Sequence, residues 1–153
     1  MADSRRLDDL HPSVRAPAEE LLRRAADAGI PLTVTCTLRS AETQAKLYAQ
    51  GRTRPGRIVT NARFGYSYHN FGLALDVVPT QLLNVTNWGD APEAQAHTDA
   101  LWARLGAIGN AIGFRWGGEF NTIADRPHFE WTGGFTLAQL RAGTLPIDRS
   151  SRG

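Results

Sequence analysis

Two short stretches hold the residues best suited to chemistry. In the first, Ser67-Tyr68-His69-Asn70-Phe71-Gly72-Leu73-Ala74-Leu75-Asp76, an imidazole and a carboxylate stand seven residues apart with a glycine turn between them. In the second, Asp125-Arg126-Pro127-His128-Phe129-Glu130-Trp131, another histidine follows an acid by three residues across a proline. Pro127 disfavours helix at Arg126, so a turn there would point Asp125 and His128 into one space. Two histidines and a carboxylate match the donor set of a catalytic zinc, which takes three protein ligands and keeps a fourth position for water, lowering its pKa to about 7. His69, Asp76 and His128 would fill the three places around one ion and leave Asp125 as a base.

Each of these residues taken singly is also an ordinary structural one; the conjunction carries the reading. Composition narrows the alternatives. A single cysteine, Cys36, allows no intrachain disulfide and no cysteine-rich metal site, so a metal must rely on histidine and carboxylate. The net charge is only +2, and the arginines are scattered apart from a loose group at Arg52, Arg54, Arg57 and Arg63. Such a group suits a solvated surface or a polyanionic partner, either acidic wall polymer or nucleic acid. No run of 18 apolar residues occurs, and Met1-Ala2-Asp3-Ser4-Arg5-Arg6 leads into no apolar run of signal length, so neither a membrane span nor an ordinary secretion signal is expected. The 153 residues suit one domain, 1–153, with a core from about 7 to 145 and a frayed tail at Asp148–Gly153.

The elements that must position the candidate ligands follow from periodicity. Val14, Ala18, Leu21, Leu22, Ala25 and Ala28 share one helical face, which predicts a helix over about 13–28, ended by Gly29 and Pro31. Leu32, Val34 and Cys36 alternate with threonines and predict a half-buried strand. Ser40 caps a second helix, Ala41–Gln50, so Arg39 sits at a strand-to-helix junction, where it either binds something or pairs with Glu42. Residues 52–66 read as a loop bordering the site, and Pro79–Asp90 as another. Leu73–Val78 reads as a central strand in which the carboxylate of Asp76 needs a partner, and a cation supplies one.

A long helix begins at Pro92, with Ala94, His97, Leu101, Leu105, Ile108 and Ile112 on one face and Gly113 at its end. Gly106 and Gly109 inside it imply close packing of another element or an early break. His97, with no acid or histidine one turn away, reads as a packed or rim histidine. Phe114–Phe120 reads as a short aromatic strand entering a glycine turn and His128–Trp131 as another short strand, and together with Leu73–Val78 they can form an antiparallel sheet. Thr136 to Gln139 is a capping box opening a short helix closed by Gly143 and Pro146. The expected fold class is α+β: a small antiparallel sheet flanked by helices.

The pattern S-x-H-x-x-G-x-A-x-D at Ser67, His69, Gly72, Ala74 and Asp76, followed by D-x-P-H-F-E at Asp125 to Glu130, resembles the zinc-dependent peptidoglycan peptidases of the D-alanyl-D-alanine carboxypeptidase and L-alanyl-D-glutamate endopeptidase family, which share a fold with the hedgehog signalling domain. Arg39-Ser40 with Glu42, Gln44 and Tyr48, then Gln50 to Thr53, and Trp116-Gly117-Gly118 extend the resemblance over about residues 7–140. It implies that His69, Asp76 and His128 bind zinc and that Asp125 is the base. It also implies that Ser67 and Arg39 touch the substrate or the developing oxyanion, with Gln44 and Trp116 at the substrate site. Glu130 and Trp131 stand as wall residues or as partners behind a ligand histidine. Aspartate rather than glutamate at position 125 resembles the phage endolysin branch.

The resemblance and the missing signal together favour a phage-type endolysin that cuts the L-alanyl-D-glutamate bond of the stem peptide. Such an enzyme would be made in the host cytoplasm, reach the wall or periplasm once a holin-type partner opens the membrane, and act as a monomer with no separate wall-binding domain. A D-alanyl-D-alanine carboxypeptidase or dipeptidase is the alternative enzyme. A non-catalytic hedgehog-like zinc module is disfavoured by the presence of Asp125, Arg39 and all three ligands, and a nucleic-acid binder leaves the histidine and carboxylate pattern unexplained.

Overall fold

The computed structural model describes residues 3–83 and 92–143. Most of the Pro79–Asp90 loop, Pro146 and the Asp148–Gly153 tail therefore lie outside the described residues. Helix α1 (Pro12–Asp27) begins one residue before the expected Ser13, because Nδ1 of His11 accepts the Ser13 amide and Pro12 needs no amide partner in a first turn. It buries Val14, Ala18, Leu21 and Ala25, and Gly29 turns the chain at φ 82°. Strand β1 (Leu32–Cys36) leads to α2 (Ala41–Ala49), capped by Ser40 through the Thr43 amide. Then come β2 (Ala74–Pro79), α3 (Pro92–Ile112), β3 (Arg115–Trp116), β4 (His128–Glu130) and α4 (Leu137–Arg141), which opens on the expected Thr136–Gln139 capping box.

Among the described residues the strands form one antiparallel sheet in the order β1-β2-β4-β3. Side chains alternate across a strand, so the two faces can be read from the register. Leu75, Val77, Phe129 and Trp116 point to one side, where Leu75, Val77 and Phe129 are fully buried with Leu21 of α1 and Trp102 and Leu105 of α3. Burying such a side chain contributes roughly 1.5–3 kcal/mol, so this face holds the sheet in place. The opposite face carries Ala74, Asp76, His128, Glu130 and Arg115. The sheet is thus a plate whose apolar side is fixed to helices and whose polar side is left for other work.

Two expectations are corrected. Cys36 does not share the core face with Leu32 and Val34: the register slips between Val34 and Cys36, so Cys36 stands opposite Asp76 on the polar face. His97 is exposed, because the buried stripe of α3 runs through Thr98, Leu101, Trp102 and Leu105. The expected strand entering a glycine turn is present: Arg115–Trp116 is strand and Gly117–Glu119 winds into a 3-10 turn.

Gly106 and Gly109 do not break α3; each seats an aromatic ring. A Cβ on Gly106 would overlap the Trp116 indole, and one on Gly109 would overlap the Phe129 ring. At an open helical site glycine to alanine stabilises by about 1 kcal/mol. Here Gly109→Ala is expected to destabilise by about 1–3 kcal/mol, as overpacking does. Urea unfolding checks this, and equal or greater stability in the variant would contradict the seating of Phe129 against the helix.

Candidate active site

The candidate ligands come together because of strand register and one tight turn. Asp76 on β2 and His128 on β4 are directly paired across the sheet, on its polar face. His69 arrives from a 3-10 turn, Tyr68–Phe71, in which the His69 amide donates to the Ser67 hydroxyl and whose end is Gly72 at φ 70°. That positive φ suits glycine, and the His11 and Asp9 backbone packs where a larger residue would stand. The carbonyl of His69 accepts the Arg39 amide, fixing the turn to the end of β1.

His69 Nε2 lies 2.9 Å from Asp76 Oδ1, His128 Nδ1 lies 3.2 Å from His69 Nε2, and His128 Nδ1 lies 3.4 Å from Asp76 Oδ1. The outer nitrogen of each imidazole faces an oxygen: His69 Nδ1 donates to the Thr37 carbonyl at 2.9 Å, and His128 Nε2 donates to Glu130 Oε1 at 2.7 Å. Those bonds set both tautomers and turn two nitrogen lone pairs toward a carboxylate oxygen. Three acceptors 2.9–3.4 Å apart repel unless a proton or a cation stands among them. Tetrahedral zinc with bonds of about 2.0–2.1 Å spaces its ligand atoms about 3.3 Å apart, so the donor set fits this metal in chemistry and size.

The electrostatics agree. Burial opposes charge on Asp76, but when protons rather than a cation occupy the facing histidine nitrogens, the charge of His69 and hydrogen bonds from both histidines hold its carboxyl far below the usual carboxylate range. Burial alone would lower His128, yet its bonds to Asp76 and Glu130 raise it to about 9. Asp76 Oδ2 lies 3.4 Å from Arg39 Nη2, and Arg39 Nε lies 3.5 Å from Asp3. Cys36 Sγ is 3.8 Å from His69 Nδ1, but that nitrogen is committed to Thr37 and burial pushes the thiol up to about 12.

Asp125 brings a carboxylate oxygen within 4.8 Å of ligand atoms of Asp76 and His128. Its amide donates to the Gly117 carbonyl at 2.8 Å, and a Cβ on Gly117 would overlap the Asp125 carbonyl oxygen. Glycine at 117 thus lets the acid-bearing loop settle beside β4. As a residue Asp125 is exposed at the rim, but its carboxyl is drawn toward the site; the local burial of that group and the charge of Asp76 raise its pKa. These residues open on a cavity of about 1010 Å³ between loop 57–68 and loop 119–125.

His69, His128, Asp125, Arg39 and Ser67 line this cavity. Asp76, Gln44 and Trp116 do not. Gln44 is fully buried, donates to the Ala62 carbonyl at 2.7 Å and accepts from Arg39, so it ties the 52–66 loop to the arginine from behind. Trp116 lies over Gly106 and Gly118 and donates its indole N–H to the Arg126 carbonyl at 2.7 Å, which steadies the turn before His128. Sequence reading missed Arg115, whose contact with Glu130 depends on strand register, and Asp3, which accepts the Ser40 amide from a distant position. The Thr37 carbonyl was beyond reach because its role belongs to the backbone.

Residues 60–131 match the family described as D-alanyl-D-alanine carboxypeptidase. The peptidoglycan L-alanyl-D-glutamate endopeptidase CwlK of Bacillus subtilis (strain 168) is 39% identical over 122 residues, covering 80% of this chain and 73% of that protein. The L-alanyl-D-glutamate peptidase of Listeria phage A118 is 28% identical over 125 residues, covering 82% of this chain but only 39% of the phage protein. The fold resembles the crystal structure of the Serratia marcescens L-Ala D-Glu endopeptidase ChiX, with a TM-score of 0.56 at 24% identity over 91% of this chain and 87% of that one.

A pH dependence follows for protein freed of metal by chelation. The raised His128 contributes stability that is complete below its ordinary value of 6.5 and lost as pH rises through about 9. Depressed Asp76 contributes stability present above its ordinary value of 3.8 and lost as pH falls below it. Urea unfolding of the metal-free protein is therefore expected to show greatest stability between these two ordinary values and a decline toward pH 9, a decline that His128→Gln removes. A flat wild-type profile from about pH 6 to 10 would contradict the convergence of acceptors.

Proposed function

Since this chain belongs to the M15 family of peptidoglycan peptidases, we propose that it is a zinc-dependent endopeptidase hydrolysing the L-alanyl-D-glutamate amide bond of peptidoglycan stem peptides. The observation that carries the reading is the convergence of His69 Nε2, Asp76 Oδ1 and His128 Nδ1 beside Asp125, at a cavity lined by both histidines and Asp125. The choice of bond is supported by two relatives named for it, one from a bacterium and one from a phage.

Zinc held by His69, Asp76 and His128 would acidify a water molecule and polarise the scissile carbonyl. Asp125 accepts the proton given up by the attacking water and returns it to the departing amine of D-glutamate. Arg39 holds Asp76 in place and keeps a positive charge at the cavity wall, where the oxyanion develops. Glu130 fixes the His128 ring, and Ser67 both caps the His69 turn and faces the cavity. That one relative is a phage protein supports a lytic role; in this proposal the enzyme acts as a monomer made in the host cytoplasm and reaches the wall after a holin-type partner opens the membrane. Among the described residues no helix is long and apolar enough to cross a membrane itself.

Digestion of purified peptidoglycan, with the new termini read by mass spectrometry, tests the reading. New D-glutamate amino termini are expected from the wild type; free D-alanine instead would assign the chain to carboxypeptidase chemistry. Asp125→Ala is expected to lower kcat by about 10²–10⁴ while bound zinc, measured by atomic emission, stays unchanged. Gly117→Ala, which displaces the Asp125 backbone, is expected to lower kcat by about 10², as small misplacements of catalytic groups do. Full activity in Asp125→Ala would remove its role as base.

A further inference from the structure

Arg115 stands on the polar face of the sheet, cross-strand from Glu130, and lines the same cavity as Asp125 and His128. Its Nη1 lies 3.3 Å from Glu130 Oε2, while the other oxygen of Glu130 takes the His128 Nε2 hydrogen at 2.7 Å. A single chain of contacts thus runs from the arginine to a candidate ligand. The two ends differ in exposure: the Glu130 side chain is 6% exposed and that of Arg115 is 63% exposed. Phe120 lies beside the guanidinium, 5.6 Å from ring centre to Cζ. An arginine offers five donors in a flat fork, and one contact to Glu130 leaves the rest of that fork open to the cavity.

The other cavity arginines are differently placed. Arg39 is 14% exposed and is bound between Asp76 and Asp3. Arg57 belongs to the loop wall and has no place on the sheet beside His128. The same cavity holds the acids Asp125, Glu119 and Glu130, which repel an anion unless a cation offsets them.

The substrate named above carries such an anion. In the stem peptide D-glutamate continues through its γ-carboxyl, so its α-carboxyl sits two bonds from the scissile nitrogen, free in some walls and amidated in others. Resting on the endopeptidase reading, we propose that Arg115 is the receptor for this α-carboxylate and sets a preference for unamidated stem peptides. The flat guanidinium matches a carboxylate in a way that a carboxamide, with its own N–H donors, does not.

The test uses two synthetic peptides, L-Ala-γ-D-Glu-meso-diaminopimelate with a free α-carboxyl and its α-carboxamide, with zinc-loaded wild type, Arg115→Gln and Arg115→Lys. Binding is also measured calorimetrically in an Asp125→Ala background. Wild type is expected to favour the carboxylate, and Arg115→Gln to raise its KM and dissociation constant about tenfold while changing those of the carboxamide less than about twofold, with kcat little altered. Arg115→Lys falls between. An equal fall in kcat on both peptides would overturn the proposal and leave Arg115 as a support for Glu130 alone, and so would a wild type that does not distinguish the peptides. Cleavage of neither peptide by wild type would remove the endopeptidase reading itself, and the proposal with it.

Discussion

Two imidazole nitrogens and one carboxylate oxygen, each with its lone pairs turned inward, meet 2.9–3.4 Å apart beneath an open cavity. Such a cluster is unfavourable in isolation, and the surrounding structure exists to enforce it. The Thr37 carbonyl and the Glu130 carboxylate hold the outer nitrogens of His69 and His128, and Arg39 holds the outer oxygen of Asp76. None of the three inner atoms can rotate away without giving up one of these bonds. A cation relieves the repulsion, and without one a proton must; the carboxylates of Asp76 and Glu130 hold it on His128 against burial and raise that pKa to about 9.

The sheet makes this constraint affordable by dividing its labour between faces. On one side Leu75, Val77 and Phe129 pack against α1 and α3, and two glycines of α3 let Trp116 and Phe129 settle closely. On the other side Asp76, His128, Glu130 and Arg115 form a row of charge, with Ala74 small enough to leave room. Because adjacent residues on β4 alternate between these faces, Phe129 anchors the strand while its neighbours His128 and Glu130 do the polar work. A loss of packing at Phe129 would therefore be felt at the site, although the ring faces away from it.

Much of this was legible in the sequence, for reasons that can be named. Helical periodicity located α1 and α3, and capping and turn residues located α2, because those signals are local. The pairing of His69 and Asp76 with His128 was readable from residue types and spacing, since few arrangements of two histidines and an acid have an ordinary structural use. The rest depended on contacts no local pattern records. A slip of register after Val34 moved Cys36 to the polar face, and burial of Gln44 removed it from the cavity. Arg115 acquires its position only once β3 and β4 are aligned, and the Thr37 carbonyl is backbone, the same atom in every residue.

The central claim is that these three inward atoms hold a metal. Diffraction from crystals of the zinc-loaded protein, recorded on both sides of the zinc absorption edge, addresses it directly. The account predicts one anomalous peak within bonding distance of His69 Nε2, Asp76 Oδ1 and His128 Nδ1, with Cys36 Sγ outside that distance. A peak bonded to Cys36, or no peak at the histidines in crystals shown to contain zinc, would contradict it.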